Sequence, residues 1–451
     1  MKRPFVILFL LLLQFSFYQV KAQSITGEAV LFGKLAGFGE KADLDLFSEL
    51  QYIVPKSHNL IIEIKKDSVF SVSVPLTKPE YFRLGRNKLY LSPGDNMEVF
   101  IDMKNPQSAL FKGRGSEVNT YLKKAAFPKG GSFLEMGLNL KPTPWESYQG
   151  LLQLVEERQK ELNALKGVSP VFIRLEKARL RADLIKSFQM AEVYIINKFY
   201  KEHESFRKLY WEEFRLLSKK MMDSLVRNFV NADYLQIEVY RDIVDKLDFS
   251  KAPVAQKQIF EDWKKANTLA FNKIKPENDK SKISLFRPAV DSVQTKKYRD
   301  MLVILLNDKM KFGNGDLAKD FEVIQPDGSR THLSGLKGKV IYIDIWATWC
   351  GPCMAEMPNF EKLKEKYRGN DNIAFVSLSV DDKNDAWLES IKERNAGGIQ
   401  WRIDRPKLVD YGVETVPRYI LVDKNFSITE MNAPRAADPE LTKMIEKLLA
   451  S

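Results

Sequence analysis

The chain has two cysteines, and they stand three residues apart as Cys350-Gly351-Pro352-Cys353. An apolar, β-branched run from Val340 to Ile345 precedes them and reads as a buried strand, so the pair falls where a strand-to-helix turn should open a helix. A helix N-terminus offers unpaired N–H groups and the positive end of the backbone dipole, and both stabilise a thiolate. The thiol of Cys350 is therefore expected to fall from about 8.5 into the range of ~3.5–7.5 found at such places, which makes it the nucleophile. Cys353, one helical turn on, can attack a mixed disulfide formed by Cys350. That is thiol–disulfide exchange. A zinc site would need two more ligands, and the histidines, His58, His203 and His332, are scattered along the chain. A purely structural disulfide closing so short a loop would remove little chain entropy.

The residues from Trp346 to Pro358, W-A-T-W-C-G-P-C-M-A-E-M-P, resemble the thioredoxin superfamily and, within it, the TlpA/ResA branch of extracytoplasmic thiol–disulfide oxidoreductases. The resemblance implies roles for particular positions. Asp344, six residues before Cys350, matches a buried carboxylate that accepts the proton of the second cysteine, and Glu356, three residues after Cys353, matches an acid that assists it. Trp349 and Pro352 would shape and shield the turn, and Pro358 would kink the helix. A second signature, Thr415-Val416-Pro417, implies a cis proline beside the cysteines, with the backbone of Val416 left free to pair with a substrate peptide. Cis costs only ~0.5–1 kcal/mol before proline, so the geometry is accessible. The alternative is a trans proline opening a strand.

What positions these residues should be an α/β module over residues 316–451, entered through Gly313-Asn314-Gly315. A hairpin around Pro326-Asp327-Gly328 leads to the central strand. A second buried strand follows at Ile373 to Val380, then a helix from Asp381 to Arg394, a short strand at Ile399 to Ile403, a turn at Asp423-Lys424-Asn425 and a closing helix from Pro439 to Leu449. Parallel strands joined by helices require right-handed crossovers, which this order fits. His332 falls on the hairpin and is read as exposed.

Upstream, residues 23–115 are strand-like and are expected to form an antiparallel β-sandwich. Leu60 to Ile64 and Val69 to Val74 read as a hairpin about Lys65 to Ser68, and Ser92-Pro93-Gly94-Asp95 reads as a turn between Leu89 to Leu91 and Met97 to Ile101. Ile25 to Gly27, the run at 89–95 and Gly113-x-Gly115 with Asn119-x-Tyr121-Leu122 resemble the β-domain that precedes thioredoxin-like modules in envelope proteins. Residues 116–315 turn helical. Amphipathic stretches run over Trp145 to Leu165, Val171 to Tyr200 (with Ser169-Pro170 as cap and first residue), Phe206 to Phe229, Tyr234 to Leu247 and Val254 to Phe271. Their aromatic residues, Phe199, Tyr200, Tyr210 and Trp211 among them, could line a ligand groove, but such stripes are more often helix-packing core and are read so.

With 451 residues the chain exceeds one ordinary core, so the reading is multidomain: a leader, a β-sandwich, an all-α region and a thioredoxin-like α/β domain. Residues 1–22 have a basic start (Lys2, Arg3), an apolar stretch from Phe5 to Tyr18 and Val20-Lys21-Ala22, the pattern of a cleaved signal peptide that would leave Gln23 first. No cysteine follows it to carry a lipid, and no later stretch is long enough for a membrane span. Export to the periplasm or envelope is the expectation, and a chain whose cysteines are confined to one C-x-x-C pair avoids mispairing there. Residues 316–451 hold 19 basic and 22 acidic side chains, so the basic excess of the chain lies upstream, where it reaches +11 over residues 23–315. No nucleic-acid motif accompanies it.

The function expected is an exported reductase of protein disulfides without a cofactor or a metal, fed by a membrane thiol donor; the last point and the reducing direction follow from the resemblance. Three alternatives stand beside it. The chain could serve cytochrome c maturation, or be an envelope partner-binding protein with a subsidiary redox module. The least supported is a peroxidase, since the differently placed cysteine and arginine of the resembling peroxidases are not found in the sequence.

Overall fold

The computed structural model describes residues 27–55, 58–125, 133–413 and 415–451. The expected leader and Ile25-Thr26 lie outside them.

The first eight strands are β1 (Gly27–Ala36), β2 (Lys41–Leu46), β3 (Leu60–Glu63), β4 (Val69–Leu76), β5 (Glu80–Leu84), β6 (Asn87–Leu91), β7 (Asn96–Asp102) and β8 (Leu110–Arg114). They form two four-stranded sheets, β4-β1-β7-β8 and β3-β2-β5-β6. Alternate residues of both, among them Leu31, Phe70, Leu84 and Val99, share one core, so the sandwich stands as expected. Two details differ. β1 and β7 pair in parallel, because the chain returns to the first sheet after an excursion through the second. The expected hairpin of β3 with β4 is a crossing between sheets: β3 pairs with β2 and β4 with β1, and Asp67 and Ser68, both at φ 63°, turn the chain across.

The helices that follow are α1 (Ser116–Leu122), α2 (Pro144–Ala164), α3 (Pro170–Lys198), α4 (Glu204–Val226), α5 (Glu238–Asp242), α6 (Val254–Leu269), α7 (Lys280–Ser284), α8 (Arg287–Asp291) and α9 (Lys296–Lys309). Local chemistry sets their starts: Thr143 and Glu146 form a capping box on α2, and Ser169 caps α3 with Pro170 at its first position. The stretch from Tyr234 to Leu247 is not one amphipathic helix. Leu235, Ile237, Val239, Tyr240, Ile243 and Val244 are apolar on every side, and packing from several directions breaks it into short turns around α5.

The sandwich docks on the helices through aromatic rings and a buried charge cluster. Tyr81, Tyr90 and Phe172 pack in series as tilted rings with centroids 4.9 and 5.0 Å apart. Beneath them the buried Glu176 accepts from Tyr81 Oη (3.1 Å) and from Arg179 Nε (2.6 Å). Asn119 of α1 binds both the N–H and the C=O of Tyr90, which gives the sequence signature around it a structural reason.

The C-terminal sheet comprises β9 (Glu322–Ile324), β10 (Arg330–His332), β11 (Val340–Trp346), β12 (Ile373–Ser379), β13 (Ile399–Arg402), β14 (Arg418–Val422) and β15 (Ile428–Glu430) in the order β10-β9-β13-β12-β11-β14-β15. β11 is parallel to β12 and antiparallel to β14. Helices α10 (Gly351–Lys366), α11 (Asn384–Glu393) and α12 (Pro439–Ala450) pack against it. Phe312 packs on this core, its ring 5.3 Å from that of Tyr411, and Lys280 pairs with Asp316 at 2.5 Å, so the entry segment is held from both sides.

Candidate active site

Every residue of β11 is buried, and its two faces have different partners. Ile341, Ile343 and Ile345 belong to one core with Val376, Leu378 and Ile420, whereas Val340 and Tyr342 belong to another with Phe360 and Leu363 of α10. By the two-residue period of a strand, Asp344 shares the face of Tyr342. Cys353, Glu356, Phe360 and Leu363 recur at helical spacing as the buried stripe of α10. Tyr342 meets Phe360 with ring centroids 6.0 Å apart. Because the helix runs back against the strand, Asp344, one step further along β11, comes opposite Glu356, toward Cys353.

Asp344 is 3% exposed, and no described residue hydrogen-bonds its Oδ1. Its carboxyl is pushed up to about 7, first by burial and then by the nearby Glu356 carboxylate, against the smaller opposing pull of Arg394 and Lys364. The Arg394 guanidinium lies 4.7 Å over the Trp346 ring, and burial holds it below its ordinary value. Glu356 is anchored: its Oε1 accepts the backbone N–H of Ala437 at 3.0 Å.

Cys350 and Cys353 are joined as a disulfide with Cα atoms 5.2 Å apart. Cys350 is the N-cap of α10, and the backbone N–H of Cys353 donates to its Sγ at 3.2 Å. This is the donor that a helix N-terminus was expected to offer a thiolate. Trp349 is 63% exposed and Pro352 is exposed beside it, so both frame the turn from outside. Val416-Pro417 is cis, and Val416 packs against the core that contains both cysteines. A pocket of about 520 Å³ opens next to Pro417, lined among others by Arg418, Tyr419, Pro434 and Arg435. The eight residues assigned to the site in the sequence thus stand on three elements, β11, the N-terminal half of α10 with the turn into it, and the turn before β14. His332 is exposed on β10, paired with Asp320 at 3.3 Å.

Sequence reasoning missed Asp381, taken above as the first residue of a helix. The structure buries it at the end of β12, where its carboxylate accepts from the Thr348 backbone N–H (3.0 Å), Thr348 Oγ1 (2.7 Å) and Ser379 Oγ (2.7 Å). It ties down the residue two places before Cys350. An acid directly after a run of eight buried residues, Ile373 to Val380, is the signal that could have found it, since a charge continuing such a run needs partners.

Residues 313–445 match the family model described as Redoxin. The chain is 29% identical over 145 residues to thiol-disulfide oxidoreductase ResA of Bacillus thuringiensis, a match spanning 31% of this chain and 82% of the relative. It is 26% identical over 133 residues to thioredoxin-like protein YneN of Bacillus subtilis, spanning 29% and 78%. Among solved structures, one assigned as a thiol-disulfide oxidoreductase from Bacteroides vulgatus is 39% identical, covering 30% of this chain and 96% of the other, with a TM-score of 0.29.

Proposed function

We propose that this chain works as an exported reductase of protein disulfides, since its C-terminal module belongs to the TlpA/ResA-like branch of the thioredoxin superfamily and is a thiol–disulfide oxidoreductase. The observation that carries the reading is the Cys350–Cys353 pair at the N-terminus of α10, backed by the buried carboxyl of Asp344 with its pKa of about 7. In the reduced enzyme the Cys350 thiolate attacks one sulfur of a substrate disulfide. A bond forms to Cys350, the substrate S–S bond breaks, and the departing sulfur takes a proton. Asp344, aided by Glu356, then accepts the proton of Cys353, whose thiolate attacks Cys350 Sγ and releases the second substrate thiol. The enzyme is left as the disulfide, two electrons poorer. A dithiol donor, in this reading a membrane thiol relay, returns two electrons and two protons.

The basic sequence leader supports export, as does a chain whose cysteines are confined to the redox pair. Among the described residues no helix is long and apolar enough to cross a membrane. Val416, beside the cis proline and next to the cysteine turn, has a backbone suited to pair with an extended substrate. Residues 23–315, with a sandwich and helices of their own, would select the partner.

The test is capture. Serine is too poor a nucleophile to resolve the mixed disulfide, so Cys353→Ser should hold substrates on Cys350 through acid quenching, and reductant should release them for identification by mass spectrometry. The double variant Cys350→Ser, Cys353→Ser should hold none. Equal capture by both variants would refute the reading.

A further inference from the structure

A cleft of about 760 Å³ lies far in sequence from the cysteines, between the first half of α3 and the segment 228–234. One wall is a single stripe of α3. Pro170, Ile173, Arg174, Lys177, Ala178 and Arg181 recur at three-to-four spacing, so Arg174, Lys177 and Arg181 line up over about 10 Å of helix. The other wall carries Phe229 and Tyr234, whose rings lie 5.7 Å apart. Among the described residues no acidic side chain lines the space.

The cations differ in how they are held. Arg181 is fixed: its guanidinium lies 4.0 Å over the Phe229 ring while Nε and Nη2 donate to the carbonyls of Leu225 (2.8 Å) and Arg227 (2.7 Å). Arg174 makes an exposed pair with Asp233 at 3.3 Å, of a kind worth little in water and readily exchanged. Lys177 is exposed, with no ion pair among the described residues. The cleft therefore offers an apolar and aromatic floor, one preset cation and two available ones.

We propose that this cleft binds an acidic peptide segment carrying aromatic or large aliphatic side chains, contributed by a protein partner. The inference rests on the reading of the chain as an enzyme that acts on proteins. A volume of this size suits a few residues of peptide. Cations strung along about 10 Å match acidic residues placed alternately on an extended chain, whose repeat is about 7 Å, better than one compact anion. The intervening side chains would face Tyr234, Ile173 and Val230, which line the cleft and are partly exposed. The +11 charge of residues 23–315, against −3 on residues 316–451, steers such a segment to this part of the molecule.

The probe is a fluorescein-labelled peptide of alternating glutamate and phenylalanine, titrated with the full chain by anisotropy at about 50 and about 300 mM salt. Binding should weaken with salt, and the double variant Arg174→Glu, Lys177→Glu should bind roughly ten-fold more weakly or worse. Both side chains are exposed, so the fold should survive, and a circular dichroism melt checks it. Peptides with lysine for glutamate, or alanine for phenylalanine, should each bind at least roughly ten-fold more weakly to the unchanged protein. Equal affinity in the charge-reversed protein would overturn the proposal. So would binding of inorganic phosphate without binding of the peptide, which would make the cleft a small-anion site. Insulin reduction by the unchanged chain, run in parallel, separates the two readings. A chain that reduces insulin but ignores the peptide refutes the cleft alone, and one that binds the peptide but leaves insulin intact refutes the redox reading alone.

Discussion

Replacing Asp344 by asparagine should make the redox module more stable and slower at once, and the two effects should share one pH dependence. The carboxyl titrates near 7 in the folded chain and at 3.8 in its ordinary state, because burial and Glu356 disfavour the charge. Below pH 3.8 it is neutral in both folded and unfolded chains and costs nothing. Between 3.8 and about 7 the unfolded chain releases a proton that the folded chain keeps, so stability falls as pH rises. Three pH units at ~1.4 kcal/mol each make the loss ~4 kcal/mol above pH 7. The asparagine side chain cannot ionise. Relative to the unchanged protein, Asp344→Asn should therefore gain ~4 kcal/mol between about pH 3.5 and pH 8, read from urea unfolding of the oxidised protein at each pH. Insulin reduction by the unchanged enzyme should rise through about pH 7 as the base ionises. The variant should lose that rise and be slower by roughly 10²-fold at neutral pH. A gain under ~1 kcal/mol, or a pH–rate profile that matches the unchanged enzyme, would refute the assignment of Asp344 as a buried base.

Changing its neighbours should move that pH–rate limb in opposite directions. Glu356→Gln removes the carboxylate that raises Asp344 and should shift the limb to lower pH, while Arg394→Met removes an opposing cation and should shift it higher; the insulin assay across pH reads both. Asp381→Ala strips the acceptor from Thr348 and Ser379 inside the module and should cost roughly 3 kcal/mol, seen as a lower Tm and as faster proteolysis at the cysteine turn. If residues 23–315 select partners, residues 310–451 alone, starting early enough to keep Phe312 in its core, should reduce insulin at the full rate yet capture none of the native partners through Cys353→Ser.

The chemistry of this protein was legible in contiguous sequence because contiguous residues generate it. A strand of β-branched residues, a turn and a helix start suffice to place Cys350 under backbone N–H groups, and the Sγ contact with the Cys353 N–H follows from that local geometry. The same holds for the caps of α2 and α3 and for the hairpin ahead of β11, each set by residues a few positions apart. Asp344 and Glu356 were found by resemblance to a known pattern. Only the fold shows why one environment perturbs Asp344: they face each other because β11 and α10 pack antiparallel, which buries Asp344 beside a like charge and places Arg394 within range.

Where tertiary structure decided alone, the partners are distant in sequence. Asp381 reaches Thr348 across 33 positions, and Ala437 reaches Glu356 across 81. The division of β3 and β4 between two sheets, the parallel pairing of β1 with β7 and the breakage of the stretch 234–247 are choices among alternatives that local periodicity leaves equal in energy. What separates them is the apolar surface each arrangement buries against the rest of the chain, and that quantity does not exist until the chain has folded.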